Sequence, residues 1–207
     1  MYLSRIIINP ACRRARRDLS NLYEMHRTVM SAFPDSHRER VLFRVDMKRF
    51  GPCPVLYVQS EVEADWRALV AVDAYLADPP DARGNPAQRF FDPEFRAGDR
   101  FIFRLRANPT VKRNGKRHAL YTEAEQMRWL ERKVTTAGGR LLGARVSAGQ
   151  LHRFRDNDGR RVTLFGVTFD GLLEVTSADL LKTAVAEGIG AGKGFGFGLL
   201  SLARGGR

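Results

Sequence analysis

The sequence has few cysteines and few histidines, and each scarcity excludes a class of protein. The two cysteines, Cys12 and Cys53, form no C-x-x-C pair and no disulfide framework, so we expect a reduced, cytoplasmic protein. The four histidines are scattered without the spacing of metal ligands, and no paired carboxylates follow the predicted strands. We therefore expect no metal and no other cofactor.

Long apolar runs and targeting signals are also missing. No run reaches the roughly 18 apolar residues of a membrane-spanning helix, and the early apolar run Ile6–Ile8 is short and has the arginine cluster at 13–17 after it rather than before it. The basic residues are spread along the chain instead of lying on one amphipathic helix. We expect neither secretion nor membrane binding.

Positive charge is what the sequence has in excess. Its 207 residues contain 35 Lys and Arg against 23 Asp and Glu, which gives a formal net charge of +12 and a pI near 10.5. An apolar content of 43% is that of a folded protein. Such a charge on a folded chain favours a polyanionic partner, and nucleic acid is the first expectation.

The chain divides into two halves of similar outline. Four of the nine prolines lie between Pro79 and Pro93, and we predict domains at 1–78 and 98–207 joined by a linker at 79–97. Each half opens with a strand that ends at an Asn-Pro pair, followed by a basic stretch and a helical pattern. The strand-helix-strand-strand-helix-strand order predicts an α+β fold of two tandem ferredoxin-like (RRM-like) domains with a glycine-rich C-terminal loop.

The predicted elements follow hydrophobic periodicity and capping signals. The helices are expected at 22–33, 64–76, 123–136 and 177–187, and the later strands at 41–47, 54–60, 140–146, 161–175 and 199–203. The helix at 64–76 and the closing strand of the first half have the weakest signals.

Basic residues cluster at three places on this frame. One cluster, RRARR at 13–17, precedes the helix that carries His26, and Arg27 follows that histidine. A second cluster lies in a loop with an Asn-Gly turn and comprises Lys112, Arg113, Lys116 and Arg117. The third lies on a hairpin around Asp158-Gly159 and comprises Arg153, Arg155, Arg160 and Arg161. We expect these residues to bind RNA, because a basic two-stranded ribbon fits a nucleic-acid groove.

Alternation along the hairpin arms predicts its two faces. His152, Phe154 and Arg161 are expected on a different face from Arg153, Arg155 and Arg160.

The glycine-rich segment 188–198 reads GIGAGKGFGFG and has a glycine at every second position. It does not match a phosphate-binding loop, because Glu187 replaces the first glycine and Gly194 replaces the Ser or Thr that should follow Lys193. A turn with positive φ angles explains one or two of these glycines. We interpret the remainder, with Gly192, Lys193 and Gly194 at the centre, as a bare backbone that RNA or the facing domain approaches closely. The intervening phenylalanines would anchor the segment.

One helix carries the candidate catalytic residues. The buried stripe of the predicted helix consists of Leu22, Met25, Val29 and Phe33. Tyr23 and His26, three residues apart, lie beside this stripe and can face one ligand. A histidine with an unperturbed pKa near 6.5 can donate or accept a proton at neutral pH. The residues alone leave open that His26 is structural.

Three motifs together resemble a known family. Three stretches occur in the order found in the CasE family of the RAMP superfamily: Asn9-Pro10 separated by twelve residues from YEMHRT, RLRANP followed by a basic GKR, and the closing GIGAGKGFGFGLLSL. These are the CRISPR repeat endoribonucleases of the type I-E Cascade complex, and the resemblance runs from residue 1 to about residue 203.

The resemblance implies the activity, the site and the partners. It implies metal-independent cleavage at the base of a CRISPR repeat stem-loop, after which the processed RNA stays bound together with the other Cascade subunits. The family's catalytic positions correspond to Tyr23 and His26. Some relatives add a lysine one turn beyond the histidine, where this chain has Met30-Ser31, so Arg27 or a hairpin arginine would take that role, or no residue does. We expect a monomer when the protein is free.

The chemistry of RNA agrees with this implication. Without a metal, RNA is cut most readily by its own 2′-hydroxyl, which attacks the adjacent phosphate and expels the 5′-oxygen. His26 suits the acid or the base role, Tyr23 suits orientation of the hydroxyl or donation of a hydrogen bond, and arginines stabilise the developing charge. Which of Tyr23 and His26 takes the proton stays open. The alternatives are a non-catalytic RNA-binding protein with tandem RRM-like domains and, less favoured for want of a recognition helix, a DNA-binding module.

Overall fold

The computed structural model describes residues 1–36, 40–47, 53–79, 81–156 and 158–204. Pro80 in the predicted linker, Asn157 in the predicted hairpin turn and residues 205–207 lie outside that description. The chain forms two compact units. The first unit comprises Met1–Asp92, Phe154–Gly159 and Gly194–Gly196, and the second comprises Pro93–Arg153, Arg160–Lys193 and Phe197–Arg207.

The first unit contains a four-stranded antiparallel sheet. In chain order its elements are β1 (Tyr2–Ile7), α1 (Arg13–Ser20), α2 (Leu22–Met30), β2 (Val41–Asp46), β3 (Val55–Ser60), α3 (Arg67–Val70) and β4 (Ala87–Phe90). The strand order is β2-β3-β1-β4, which places the first strand next to both the third and the last. This is the strand order of a ferredoxin-like domain.

One apolar core joins the helices of the first unit to its sheet. Met25 and Val29, four residues apart on one face of α2, are buried with Ile6, Phe43 and Leu56 from three different strands. Burial of this stripe fixes the orientation of α2, and it thereby fixes the direction in which the side chains beside the stripe point.

The second unit repeats the same strand order. Its elements are β5 (Arg100–Ala107), β6 (Thr110–Arg113), β7 (Lys116–Ala119), α4 (Glu123–Thr136), β8 (Gly139–Val146), β9 (Gln150–Arg155), β10 (Arg161–Val175), α5 (Ala178–Glu187) and β11 (Leu200–Arg204). The sheet order is β11-β5-β10-β8, with β9 paired to the remaining end of β10 and β6 paired to β7 as a separate hairpin. The expected α+β fold with tandem ferredoxin-like domains is confirmed.

Local sequence signals explain where the helix α4 begins and what it packs against. The Thr122 hydroxyl oxygen accepts a hydrogen bond from the backbone N–H of Glu125, and the Glu125 carboxylate accepts one from the backbone N–H of Thr122, which forms a capping box. Trp129 is buried and stacks on Phe169 of β10 with ring centroids 6.0 Å apart. Helix α4 therefore covers the centre of the sheet in the second unit.

The observed elements differ from the predicted ones mainly in the first unit. The basic stretch at 13–17 lies in helix α1, and the helix expected at 64–76 is reduced to Arg67–Val70. Helix α2 ends at Met30, three residues before the predicted end. Strand β4 lies within the segment 79–97 and pairs with β1. The local sequence pattern does not indicate β4, because its four residues are of mixed polarity. The strand forms through its pairing with β1.

Candidate active site and nucleic-acid interface

The start of helix α2 places Tyr23 and His26 side by side. Asn21 caps the helix, and its side-chain oxygen accepts a hydrogen bond from the backbone N–H of Tyr23 at 2.9 Å. The rings of Tyr23 and His26 have centroids 6.3 Å apart and planes inclined by 36°. Both residues are half-buried. The structure thus brings together the two residues that the sequence predicts to be catalytic.

A buried carboxylate ties α2 to the rest of the first unit. Asp18, at the end of α1, accepts hydrogen bonds from the Thr28 hydroxyl at 2.7 Å and from the Tyr75 hydroxyl at 3.0 Å. Burial raises the pKa of Tyr75, and the Asp18 charge raises it further, so the phenol remains a donor. Sequence analysis missed Asp18, because an aspartate after a basic stretch carries no signal that it is buried.

The imidazole of His26 lies against residues of the glycine-rich segment. The ring of Phe195 is 5.7 Å away, centroid to centroid, and Phe195 in turn packs on Phe154 at 4.9 Å. A Cβ atom built on Gly194 would lie 3.9 Å from both Cε1 and Nδ1 of His26. All four residues belong to the first unit. Gly194 and Phe195 of the glycine-rich segment therefore line one side of the candidate active site.

This environment disfavours the protonated form of the His26 ring. Burial lowers the pKa of His26, and the backbone of Gly194, which favours the protonated ring, raises it by less. That backbone contact does not reach hydrogen-bond geometry at Nδ1, which is buried and has no hydrogen-bond partner among the described residues. Nε2 is not among the buried, unpartnered atoms, so it is the nitrogen available to exchange a proton with a ligand.

Most glycines of the segment 188–198 have left-handed backbone angles. The φ angles are 76° at Gly188, 90° at Gly190, 81° at Gly192, 82° at Gly196 and 90° at Gly198. Positive φ thus accounts for five of the six glycines, and the interpretation that it explains only one or two was wrong. The centre of the segment is not extended, since Lys193–Phe195 form a 3-10 turn. The phenylalanines do anchor the segment, because Phe197 is fully buried.

Gly192 and Gly194, which were expected to bind RNA, stand in different situations. Gly192 has a positive φ, and an added Cβ would come within 3.0 Å of the Phe197 ring. Gly194 lacks a positive φ and has only ordinary contacts at its Cβ position, all of them with His26. The positive φ and the contact with Phe197 therefore require a glycine at 192, whereas Gly194 is the glycine that adjoins the candidate catalytic residue.

Two predicted RNA-binding arginines belong to the first unit, and both are exposed. Arg27 lies next to His26 in the sequence, and its Nη1 is 3.7 Å from the Glu24 carboxylate. Arg155 donates from Nη1 to the Gly159 carbonyl at 2.7 Å across the hairpin turn. Either guanidinium is a candidate for the role that the missing lysine has in relatives.

The remaining predicted RNA-binding residues belong to the second unit. Lys112, Arg113, Lys116 and Arg117 are all exposed on the β6–β7 hairpin, whose turn residues Asn114 and Gly115 both have positive φ. This is the turn that an Asn-Gly pair predicts. Arg153, Arg160 and Arg161 are exposed, and Lys193 is half-buried.

On the inner face of the β9–β10 hairpin, His152 contacts Arg106 and Phe197. Nε2 of His152 lies 3.0 Å from Arg106, whose guanidinium also stacks over the Phe197 ring at 5.1 Å. Burial lowers the pKa of His152 to about 4, with Arg106 contributing. Gly166 faces His152, so alternation along β10 places Arg161 on the opposite face, and the expectation that Arg161 shares a face with His152 was wrong.

Within the residues that the structure describes, no group of three or more His, Cys, Asp or Glu side chains could hold a metal ion. Over the same residues, no helix is both long and apolar enough to cross a membrane.

Known proteins resemble this chain along its whole length. A family model described as "CRISPR associated protein" matches residues 1–204. The chain is 38% identical over 219 residues to the CRISPR-associated endoribonuclease Cse3 of Thermus thermophilus, which covers 98% of this chain and 100% of that protein. It is 31% identical over 225 residues to the CRISPR system Cascade subunit CasE of Escherichia coli, with 98% and 99% covered. Among solved structures, CRISPR endoribonuclease Cse3 bound to 19 nt RNA is similar, with a TM-score of 0.84, 37% identity and coverage of 98% and 100%.

Proposed function

The chain belongs to the CRISPR-associated protein family, and from that premise we propose that it cuts CRISPR repeat stem-loop RNA at the base of the stem without a metal. It is a repeat-processing endoribonuclease of the type I-E Cascade kind. In this proposal the 2′-hydroxyl upstream of the cut attacks the adjacent phosphate. The released RNA ends in a cyclic phosphate on one side and in a 5′-hydroxyl on the other.

The observation that carries the mechanism is the placement of His26, which lies beside Tyr23 with its Nδ1 buried and without a hydrogen-bond partner among the described residues. A neutral imidazole with an available Nε2 can take the proton of the 2′-hydroxyl as its oxygen bonds to phosphorus. The bond from phosphorus to the 5′-oxygen then breaks, and that oxygen receives a proton. In this proposal His26 enters the reaction as the base, because burial lowers its pKa and so favours the unprotonated ring.

Tyr23 and an arginine complete the proposed site. The Tyr23 hydroxyl, on the same helix face as His26, orients the attacking hydroxyl or donates a hydrogen bond to the phosphate. Arg27 or Arg155 supplies positive charge to the phosphorane, on which negative charge develops. Charged hydrogen-bond donors at such a position contribute about 3 kcal/mol or more to catalysis in other enzymes.

The same proposal assigns a role to each part of the chain. We assign catalysis to a domain at 1–78, RNA binding to the basic residues and glycine-rich loop of a domain at 98–207, and the connection to 79–97. The product RNA stays bound, and the protein remains with the other Cascade subunits in the cytoplasm. Free of RNA and of those subunits, we expect a monomer.

A cleavage assay in chelator tests this function. A labelled repeat stem-loop should be cut once at the base of its stem, and the same RNA with a 2′-deoxy sugar just upstream of the cut should bind but stay intact. Cutting of the deoxy RNA would overturn the 2′-hydroxyl mechanism. Binding of both RNAs without any cutting, in chelator or in Mg²⁺, would favour a non-catalytic RNA-binding protein.

A further inference from the structure

A cleft of about 520 Å³ opens on the helical side of the second unit. It lies where α4 and α5 end, and its other walls are the β6–β7 hairpin and residues 188–193 of the glycine-rich segment. We call it the basic cleft. Its volume is in the range of about 300–1,000 Å³ that is typical of ligand sites.

The charges that line the basic cleft are strongly unbalanced. Lys112, Arg117, Lys133 and Lys193 face a single carboxylate, Glu187, so the lining carries four positive charges and one negative charge. Three of the cations, Lys112, Arg117 and Lys133, make no salt bridge and no side-chain hydrogen bond with any described residue. Unpaired cations that surround a concave site favour an anionic ligand.

Lys133 is the most informative of these residues. It is half-buried and makes no salt bridge with any described residue. Its place in the last turn of α4 offers a structural explanation, because a cation stabilises the negative end of a helix dipole. That explanation does not extend to Lys112 and Arg117, which come from a different element and line the same space.

The glycine-rich wall adds a second feature of a ligand site. Gly190 has a φ of 90° and packs its backbone on Trp129, where an added Cβ would lie 3.1 Å from the ring. At Gly190 this wall of the cleft therefore presents backbone groups without a side chain. Backbone N–H and C=O groups can bond to the phosphates, sugars and bases of a nucleotide.

We propose that the basic cleft binds single-stranded nucleotides that flank the repeat stem. The proposal rests on the proposed function, since an RNA that is cut at the base of a stem within a longer transcript continues as a single strand beyond that stem. A space of this size admits one or a few nucleotides and is too small for an A-form duplex. The cleft thus recognises a part of the substrate that differs from the stem.

Binding measurements on uncleavable RNA test the proposal independently of catalysis. Two 2′-deoxy RNAs are compared, one the bare stem-loop and the other the same stem-loop with single-stranded repeat sequence on both sides. The proteins are wild type, Lys133→Ala, Lys133→Arg and the control Arg132→Ala. Arg132 is an exposed neighbour on α4 that does not line the cleft, so its removal changes net charge equally.

We expect Lys133→Ala to weaken binding of the flanked RNA by about tenfold and to leave the bare stem-loop unchanged. The log-log salt slope on the flanked RNA should fall by about 0.7, the value for one lost contact to a single strand. Lys133→Arg should restore the affinity and the salt slope. Arg132→Ala should affect the binding of the flanked RNA and of the bare stem-loop equally.

Three results would overturn the proposal. One is an equal loss on both RNAs, which would show a contribution of general charge only. Another is a Lys133→Ala protein that binds RNA as wild type does but no longer assembles with the Cascade subunits. That result would show that the cleft binds an acidic protein surface instead of RNA. The third is no change at all in a variant that melts like wild type. Failure of the proposed function is distinct, because it appears as wild-type protein that does not cut the cleavable stem-loop.

Discussion

The ring of Phe195 lies 5.7 Å from the ring of His26, centroid to centroid, and Phe195 belongs to the 3-10 turn of the glycine-rich segment. Residues 194 and 195 of this segment, which does not match a phosphate-binding loop, therefore lie against the candidate catalytic histidine. Its contribution there is packing and a close backbone contact, since Gly194 supplies no side chain between the turn and the imidazole.

Loss of the imidazole should separate cleavage from binding. We expect His26→Ala to bind the repeat stem-loop as wild type does and to cut it in chelator at least about a hundredfold more slowly, since general base catalysis contributes about 10²–10⁴. Tyr23→Phe should lose less, because it removes one hydrogen bond and keeps the ring. Single-turnover rates and binding titrations measure both effects. Full activity of His26→Ala would exclude the proposed base.

The two central glycines should respond differently to the same substitution. Gly192→Ala should lower the free energy of unfolding by about 1–3 kcal/mol, because alanine is strained at a φ of 81° and its Cβ meets Phe197. Gly194→Val should melt within a few degrees of wild type, yet its added methyl groups should crowd His26 and slow cleavage. Thermal melts and rates on the same preparations check this pair. We expect Gly194→Val to weaken stem-loop binding as well.

The opposite result for the pair would contradict this assignment. If Gly194→Val unfolds the protein while Gly192→Ala does not, the strained position has been misidentified. If Gly194→Val changes neither rate nor affinity, close approach at Gly194 has no part in function.

His152 should make stability depend on pH. The unfolded chain protonates this histidine near pH 6.5, whereas the folded protein does so only near pH 4. Between these values the unfolded state binds more protons, so the stabilising contribution is complete above about pH 6.5 and is lost as the pH falls toward 4. His152→Gln keeps an acceptor for Arg106 and cannot titrate in this range. Its melting temperature should therefore fall less than that of wild type between pH 7 and pH 4, and parallel curves would contradict the prediction.

The hairpin arginines should distinguish duplex from single strand. Arg153→Ala should weaken stem-loop binding more than single-strand binding and reduce the salt slope by about one unit per lost phosphate contact. Arg155→Ala should act in the same direction, and it additionally removes the hydrogen bond to Gly159. Salt titrations on both RNAs, with Arg132→Ala as the charge control, provide the measurement. Equal losses on the two RNAs would show that these arginines supply general charge.

Sequence patterns predicted the second unit more closely than the first. Glu123–Thr136 was predicted to the residue, because a capping box, a long apolar stripe and a following glycine all act locally. Strand β4 and the four-residue helix α3 were not predicted to their bounds, since their formation depends on pairing and packing with residues distant in the chain.

The candidate site shows the same limit. The helical spacing of Tyr23 and His26 was sufficient to predict that they share a face. The approach of Phe195 and Phe154 to that face was not predictable, because it depends on how the chain folds back more than a hundred residues later. The number of glycines with a positive φ was underestimated for a related reason. A glycine that allows close approach of another group and a glycine that adopts a positive φ look the same in the local sequence.

Strand β10 runs without interruption for 15 residues, from Arg161 at the hairpin to Val175 at the far end of the central sheet. The exposed arm of the hairpin is therefore a continuation of a strand that is hydrogen-bonded on both sides further along. Its backbone entropy is lost when the protein folds and does not have to be lost again when a ligand arrives. A preorganised arm of this kind should bind with a small entropic penalty and should dissociate slowly, which agrees with the proposed retention of the product RNA.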